Sequence, residues 1–423
     1  MSIEFPPAVV AQREWQFDTE NSFQGLVAHL PGRVYVTYNA SVGANVTRLV
    51  ATSDSHAVLD LLSVDVSPTT QERFTAACNQ IYTIDQPDQS YLNLTTAYDD
   101  DVKAAGSLLV RVELQQPLAW VISTADTVLT DTTLANNAAA RLTITSMCAG
   151  SIEAATATDV SITSLALSNF GSGSIQYTAP TLRLADSLSV TSRGSSAVAV
   201  LARRITAKST TALAAFQGSI YINGSLQVSD IRTTVTAAGN VTVAPRGACN
   251  DSVVDVADYG HVYLGSLACR KVRVKAAGHA DAIVQTAGAL ETDITNSAKV
   301  TYFNETPATL KTSGGGWWLF SAPPQPTLTT NNTVATFAFA PLPPAVPLRV
   351  TIELDHASHG SRVARHYATV DDGGAIVDFT SVHPGHRILY DDVMLLAALV
   401  VVTLVGLVFR AKTTRMGYTT LPL

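Results

Sequence analysis

A short pattern recurs through residues 150–312, where a glycine or another turn former precedes an alternating apolar strand. Gly150 lies 23 residues before the second marker, and Asn296, which can also adopt a positive φ, lies 18 residues after the last glycine. The glycines between them are spaced 21, 24, 21, 21 and 18 residues apart: Gly173, Gly194, Gly218, Gly239, Gly260 and Gly278. A period of this length is typical of a β-solenoid, because one coil cannot bury its own apolar face. The sequence predicts an all-β fold, a right-handed parallel β-helix of about eight coils.

Apolar residues alternate with hydroxyl and amide residues between these turns, which indicates strands with one buried side. We expect these pairs to point inward: Leu182 and Leu184, Leu188 and Val190, Leu226 and Val228, Val241 and Val243, Val262 and Leu264, Val272 and Val274. Eight coils stacked about 4.8 Å apart would form a rod of roughly 40 Å. A β-sandwich of short strands is the alternative, but the steady glycine spacing favours the solenoid.

Three segments carry a resemblance to a known family: the turn Gly-Ser-Gly-Ser-Ile at 171–175, the strands FQGLVAHLPGRVYV at 23–36, and LLVRVELQQPL at 108–118. They resemble the putative auto-transporter adhesin head GIN domain family, over about residues 14–312. That resemblance implies a β-solenoid whose coils begin at Ser/Gly-rich turns. It transfers no catalytic residues.

The composition limits the partners. Charged residues make up 14% of the chain, below the roughly 25% of an average soluble protein. The formal net charge is -7 over 423 residues, and no Lys/Arg cluster interleaves with aromatic residues. The surface is therefore rich in hydroxyl groups rather than ionic, and we expect no nucleic-acid partner.

The repeat stops before Trp317 and Trp318, which are suited to capping the exposed end of a solenoid. Prolines then punctuate the chain, and we divide it as follows: an N-terminal segment at 1–13, the solenoid at 14–312, a cap and Pro-rich linker at 313–347, a membrane-proximal β segment at 348–387, a transmembrane helix at 388–410 and a cytosolic tail at 411–423. The N-terminal segment has no apolar stretch of the secretory type. Either a leader precedes the sequence or the chain enters the membrane through its C-terminal helix.

Residues 393–409 carry no charge and are about 25 Å long as a helix, which predicts a single membrane span. Asp391 and Asp392 precede it, whereas Arg410, Lys412 and Arg415 follow it. The positive-inside rule then places the tail in the cytosol and the solenoid outside or in the lumen.

The tail ends in Gly-Tyr-Thr-Thr-Leu, with Tyr418 and Leu421 at the two key positions. It resembles the sorting signals of lysosome-associated membrane proteins. The resemblance implies capture by cytosolic sorting adaptors, with the two side chains in separate pockets and the segment extended as a strand.

Eight of the fifteen asparagines begin an N-glycosylation sequon, namely Asn39, Asn45, Asn93, Asn223, Asn240, Asn250, Asn304 and Asn331. This excess indicates a secretory route. Cys249 and Cys269 lie 20 residues apart, about one coil, so they could stack as a coil-to-coil disulfide, with free buried thiols as the alternative. Cys78 and Cys148 would form a second pair. None of the four has a zinc-ligand spacing.

The C-terminal part holds five of the nine histidines: His356, His359, His366, His383 and His386. They could form a pH sensor or a metal site, but turn residues interrupt the run, so solvated histidines are the simpler interpretation. We predict no metal and no cofactor.

Catalytic motifs are missing from the sequence. The nearest approach to a glycan-cleaving set is Asp230, Asp251, Asp255 and Asp258, whose spacing does not place two carboxylates across a sugar bond. We therefore predict a non-enzymatic membrane glycoprotein. Its adhesin-like solenoid would bind an extracellular protein or glycan, or act as a spacer, at the plasma membrane or in endosomes and lysosomes. The alternative is a polysaccharide-active β-helix enzyme.

Overall fold

The computed structural model describes residues 10–18, 23–39, 46–68, 73–75, 81–83, 90–96, 102–315, 324–332, 335–354 and 367–370. All of them belong to one of two compact units, Met1–Asp378; the other, Phe379–Leu423, lies outside the described residues.

The first part of the chain forms nine strands and one short helix. They are β1 Ala11–Asp18, β2 Phe23–His29, β3 Arg33–Tyr38, β4 Val46–Ser53, α1 His56–Asp60, β5 Leu62–Pro68, β6 Arg73–Thr75, β7 Ile81–Thr83, β8 Ser90–Thr96 and β9 Val102–Leu114.

The repeat region forms β10 Trp120–Ser123, β11 Asp126–Leu129, β12 Arg141–Cys148, β13 Ile152–Ala155, β14 Val160–Gly171, β15 Ile175–Thr178, β16 Thr181–Gly194, β17 Ala197–Phe216, β18 Ser219–Val235, β19 Asn240–Val256, β20 His261–Ala276, β21 Asp281–Ile294, β22 Lys299–Phe303, β23 Thr309–Ser313 and β24 Thr327–Thr329. Two further strands follow, β25 Leu348–Leu354 and β26 Tyr367–Val370.

The coils stack as three parallel ladders, which we number by their order within one coil. In β17 the first ladder takes residues 197–201, the second takes 204–207 and the third takes 209–216, each paired in register with the coil on either side. The same division recurs in β18, β19 and β20. The predicted parallel solenoid is therefore confirmed. It has about nine turns rather than eight, because β10 and β11 add coil structure upstream of Gly150.

The core is a set of inward-facing rows that run through the stack. In the first ladder Val198, Ile220, Val241, Val262 and Ala282 lie directly above one another and are inaccessible to solvent. Every inward pair predicted from the alternation is buried. Each such aliphatic side chain contributes roughly 1.5–3 kcal/mol relative to exposure, so the repeated rows provide the main stabilisation of the stack.

The turn markers fill two different positions. Residues with positive φ stand in one column, which includes Phe216, Ala237, Asp258, Gly278 and Asn296. Gly218, Gly239 and Gly260 stand two residues later, where the chain approaches the coil below; a Cβ on Gly260 would lie 2.7 Å from Val235 Cγ1. Gly278 therefore aligns with Asp258 rather than with Gly260. This offset explains why the predicted spacing drops from 21 to 18 residues there.

The N-terminal coils place a polar residue inward just before this turn. Ser123, Ser146, Asn169 and Ser192 form one row, and all four are buried. Their side chains donate hydrogen bonds to turn carbonyls; Ser192 Oγ, for example, lies 3.0 Å from the Ser196 oxygen. Later coils have Ala214 in this row. The polar row therefore satisfies carbonyl groups that would otherwise be buried without partners.

The N-terminal end of the stack is closed by a long excursion between β3 and β10. Within it β9 pairs in parallel with β3 and antiparallel with β4, which in turn pairs with β1. On the third-ladder side, β8 covers β2 and pairs with β5. β8 and β9 thus supply parallel partners for the terminal coil, and β5 and β4 pair antiparallel with them on the outside. There α1 packs Val58 and Leu59 into the core.

After β24 the chain turns back along the outside of the first ladder. We call residues 335–347 the strap. Phe337 packs against Tyr221 with 5.4 Å between ring centroids, and Gln176 exchanges two hydrogen bonds with the backbone of Ala340. Further along, Arg33 donates to the Pro344 oxygen at 3.1 Å. Beyond the strap, β25 pairs antiparallel with the first half of β9 and with β26.

The strap follows the first ladder toward its N-terminal end. From Ala340, which pairs with Gln176 on β15, to Ala345, which accepts from Arg111 on β9, it crosses four rungs of the ladder. Residues 335–347, the described C-terminal part of the predicted Pro-rich linker, are thus packed against the solenoid.

No helix in the described ranges is long and apolar enough to cross a membrane. The predicted span at 393–409 lies outside the described residues, as do Trp317, Trp318 and the five C-terminal histidines.

Candidate functional site

An open groove follows the corner between the first and second ladders. Two adjoining cavities form it, of about 280 Å³ toward the N-terminal end and about 660 Å³ toward the middle of the stack. Thr156 lines both, so the cavities are neighbours. We call this feature the corner groove.

The chain turns this corner with proline and glycine. Pro180, Gly224 and Pro245 line the larger cavity, with Ala202 and Arg203 at the corner of the coil between Pro180 and Gly224. A Cβ on Gly224 would lie 1.8 Å from the Ala202 carbonyl oxygen, so only glycine fits there. Because the coils approach closely at Gly224, the surface of the solenoid is concave at this corner.

The smaller cavity has an apolar floor and a rim of threonines. Leu142, Ala154, Val160 and Tyr177 form the floor, and each is at most 3% exposed. Burial raises the pKa of the Tyr177 phenol, which therefore stays neutral. Above the floor stand Thr130, Thr132, Thr156 and Thr158, with Tyr38 beside them.

The threonine rim is held in place by Asp131. Its Oδ1 accepts hydrogen bonds from Thr156 Oγ1 at 2.6 Å and from the backbone N–H groups of Thr132 and Ala157. Thr156 and Thr158 share a further hydroxyl contact at 3.1 Å. The rim thus presents fixed hydroxyl groups around an apolar floor, an arrangement that suits a ligand with both hydroxyl and C–H faces.

The larger cavity is cationic. Arg203 and Arg246 line it and are exposed, whereas Thr178, Asn223 and Ser225 supply neutral polar groups. In the part of the chain that the structure describes, no aspartate or glutamate lines either cavity. Among the described residues, the ion pairs involve other arginines, such as Arg183 with Asp159 at 3.2 Å and Arg232 with Asp255 at 3.5 Å.

The sequence did not single out these arginines. Pro180, Arg203, Gly224 and Pro245 are 23, 21 and 21 residues apart, the same period as the glycine turns. A search for a second recurring turn in each coil could have found the corner. It could not have found the charge, because the arginines stand on different coils.

The four predicted carboxylates do not line the groove. Asp230 and Asp251 are directly opposite each other on the third ladder, and Lys271 follows Asp251 on the next coil. Asp255 pairs with Arg232, and Asp258 accepts from the Ala237 N–H at the turn. The described residues contain no group of three or more His, Cys, Asp or Glu side chains arranged to hold a metal ion.

Cys249 and Cys269 lie opposite each other on β19 and β20, with their Cα atoms 4.4 Å apart, and they are joined by a disulfide. Cys148 is disulfide-bonded as well. Cys78, predicted as its partner, lies outside the described residues.

The predicted glycosylation sites differ in exposure. Asn250, Asn304 and Asn331 are exposed, whereas Asn39, Asn93, Asn223 and Asn240 are half-buried. Asn223 lines the larger cavity, and the Asn93 amide donates to Asp65 at 3.2 Å. Asn45, Tyr418 and Leu421 lie outside the described residues.

Fold and groove together define a parallel β-solenoid with an open lateral groove. Residues 100–306 match the family described as putative auto-transporter adhesin, head GIN domain, which confirms the resemblance predicted from the repeat. The match begins at residue 100, two residues before β9, so the predicted likeness of residues 23–36 remains a prediction. No curated protein sequence matches the chain.

Several solved structures are similar over most of the chain. A putative adhesin from Parabacteroides merdae is 9% identical, with 76% of this chain and 96% of that one covered, at a TM-score of 0.32. A putative lipid binding protein from Parabacteroides distasonis is 13% identical, with 76% and 97% covered, at 0.32. A putative adhesin from Bacteroides fragilis is 12% identical, with 75% and 95% covered, at 0.26. These TM-scores are too low to support an argument about function.

Proposed function

We propose that this protein is a single-pass membrane glycoprotein whose β-solenoid binds an extracellular protein or glycan, or holds one at a distance, without transforming it. The observation that carries the proposal is the corner groove, an open concave surface on the stack whose described lining residues include no carboxylate. A glycan-cleaving β-helix would need acidic groups facing its groove. The adhesin description of the matching family supports the same reading, and it favours a cell-surface location.

The membrane part of the proposal rests on the sequence. The uncharged stretch at 393–409 would span the bilayer, with Asp391 and Asp392 outside and Arg410, Lys412 and Arg415 in the cytosol. Tyr418 and Leu421 would then be available to sorting adaptors. The ratio of surface to internal full-length protein in cells should rise for Tyr418→Ala, because adaptor capture would be weakened. An unchanged ratio would contradict the proposed adaptor binding.

Glycans are proposed first at the exposed sites, Asn250, Asn304 and Asn331, where a sugar can extend into solvent. Glycosidase treatment of a cell extract should shift the protein by the mass of several glycans. No shift would argue for a cytosolic solenoid and against the proposed topology.

The binding function is tested with the full-length protein in detergent micelles, applied to arrays of glycans and of extracellular proteins. We expect selective retention of a ligand whose mass is unchanged after incubation. New reducing ends or unsaturated sugar products would instead support the polysaccharide-active alternative. Retention of nothing on either array would contradict the binding function.

A further inference from the structure

We infer that the larger cavity of the corner groove binds an anionic oligosaccharide, one that carries sulfate or carboxylate groups on a hydroxyl-rich chain. This inference rests on the proposed binding function and names the class of ligand for it. Three features carry it: uncompensated arginines, neutral polar groups between them, and the shape of the cavity.

The arginines form a cationic wall. Arg203 and Arg246 line the cavity, and Arg204 follows Arg203 in the chain. Arg204 lies opposite Ser225, and Ser225 lies opposite Arg246 on the next coil. Arg204 and Arg246 therefore stand two rungs apart in one row. Two rungs make about 10 Å, roughly the length of a disaccharide. Guanidinium groups at this spacing could each meet an acidic group on successive sugar units, because their planar donor pairs match carboxylate and sulfate oxygens.

Nothing in the described residues neutralises this wall. None of the described ion pairs includes Arg203, Arg204 or Arg246. The nearest carboxylate along the same row is Asp159, which already pairs with Arg183 at 3.2 Å. Three other exposed arginines of the solenoid, Arg183, Arg232 and Arg273, do face a carboxylate on a neighbouring coil. Arg203, Arg204 and Arg246 thus stand close together on three coils without a described carboxylate partner, although the whole chain carries a net charge of -7.

The groups between the arginines suit a sugar rather than a nucleic acid. Thr178, Asn223 and Ser225 offer hydroxyl and amide groups for hydrogen bonds, and Pro180 and Pro245 offer flat apolar surfaces. The described lining of this cavity includes no aromatic side chain on which bases could stack. The volume of about 660 Å³ can take several sugar units of a thin chain.

The test compares two double variants of the full-length protein in detergent. Arg203→Gln with Arg246→Gln removes two charges from the cavity. Arg270→Gln with Lys275→Gln removes two exposed charges from β20, outside the groove. Heparin oligosaccharides serve as the anionic probe, and the same oligosaccharides after desulfation, N-acetylation and carboxyl reduction serve as the neutral probe. Binding is measured by titration calorimetry, and melting curves of both variants establish that they are folded.

We expect wild type to bind heparin oligosaccharides and not the neutral probe, with affinity that falls as salt rises. The cavity variant should bind at least tenfold more weakly, and the control variant should stay within twofold of wild type. Equal losses in the two variants would show non-specific attraction and overturn the inference, as would unchanged binding in the cavity variant. If the cavity variant melts early, Arg246→Gln alone replaces it, with the same criteria.

Asn223 provides a second check, because a glycan on this residue would fill the same cavity. Glycopeptide mass spectrometry should find Asn223 unmodified; full occupancy would overturn the inference. Retention of only neutral glycans or proteins on the arrays would also overturn it, while leaving the binding function intact. Retention of no ligand at all would overturn both the inference and the proposed binding function.

Discussion

The side-chain amide of Gln176 makes two hydrogen bonds to the strap. Gln176 lies between two inward residues of β15 and therefore points outward, yet it is only 5% exposed because the strap covers it. Its Nε2 donates to the Ala340 oxygen at 2.6 Å, and its Oε1 accepts from the Ala340 N–H at 3.0 Å. The side-chain amide thus pairs with both backbone groups of Ala340, as the backbone of a neighbouring strand would.

Replacement of this amide should release the strap locally. Gln176→Met keeps the length and shape of the side chain but removes both hydrogen bonds. At a net value of about 1 kcal/mol for each bond, the closed state of the strap loses about 2 kcal/mol. The open population should then rise roughly thirtyfold, since about 1.4 kcal/mol corresponds to a factor of ten. The coils beneath should be unaffected, because their own ladders are complete.

Chymotrypsin provides the assay, because it cleaves after Phe337 and Phe339 only when the strap is lifted. When opening and closing are fast, the cleavage rate follows the open population. We expect cleavage of native Gln176→Met about thirtyfold faster than wild type, with an unchanged global melting midpoint. Gln227→Met, on an exposed glutamine of β18, is the matched control and should behave as wild type. Equal cleavage rates for wild type and Gln176→Met would refute the reasoning that the amide pair holds the strap.

Three further predictions concern the solenoid body. Val241→Asp places an unpaired carboxylate in a fully buried row and should cost at least about 3 kcal/mol, measured by chemical unfolding, whereas Val241→Ala should cost less; a wild-type midpoint for the aspartate variant would contradict the inward assignment. Peptide mapping without reduction should recover Cys249 joined to Cys269, and alkylation of both thiols in the native protein would argue against an oxidising compartment. Burial lowers the pKa of His29 to about 4, so the neutral form is favoured in the fold, and stability present above about pH 6.5 should decline as the pH falls toward 4, by at most about 3 kcal/mol. His29→Gln should flatten that part of the pH profile, and an unchanged slope would show that other groups cause it.

Part of the fold could be predicted because it depends on local repetition. The inward pairs were correct since side-chain alternation along a strand decides which residues are buried, whatever the neighbouring coil contains. The turn markers were less precise. Gly278 and Asn296 occupy the positive-φ column, whereas Gly239 and Gly260 occupy the close-contact column, and both positions favour glycine for different steric reasons. A pattern of glycines alone cannot separate the two.

The corner groove could not be predicted in the same way. Arg203 and Arg246 are separated by two turns of the solenoid, and their neighbours in sequence carry no shared motif. They meet only because the coils stack in register and the corners draw close at Gly224. The carboxylates that the sequence did single out lie on another ladder and in part already have basic partners.

The sequence by itself determined the coil period, the buried rows and the family resemblance, because each follows from residues close together in the chain and repeated many times. The tertiary structure decided the course of the strap and the charge of the groove. Residues 335–347 have no period that marks a partner, and their place is fixed by lateral packing of Phe337 and Ala340 on coils more than one hundred residues earlier. Contacts of that separation depend on the finished surface of the stack, which exists only once the coils have assembled.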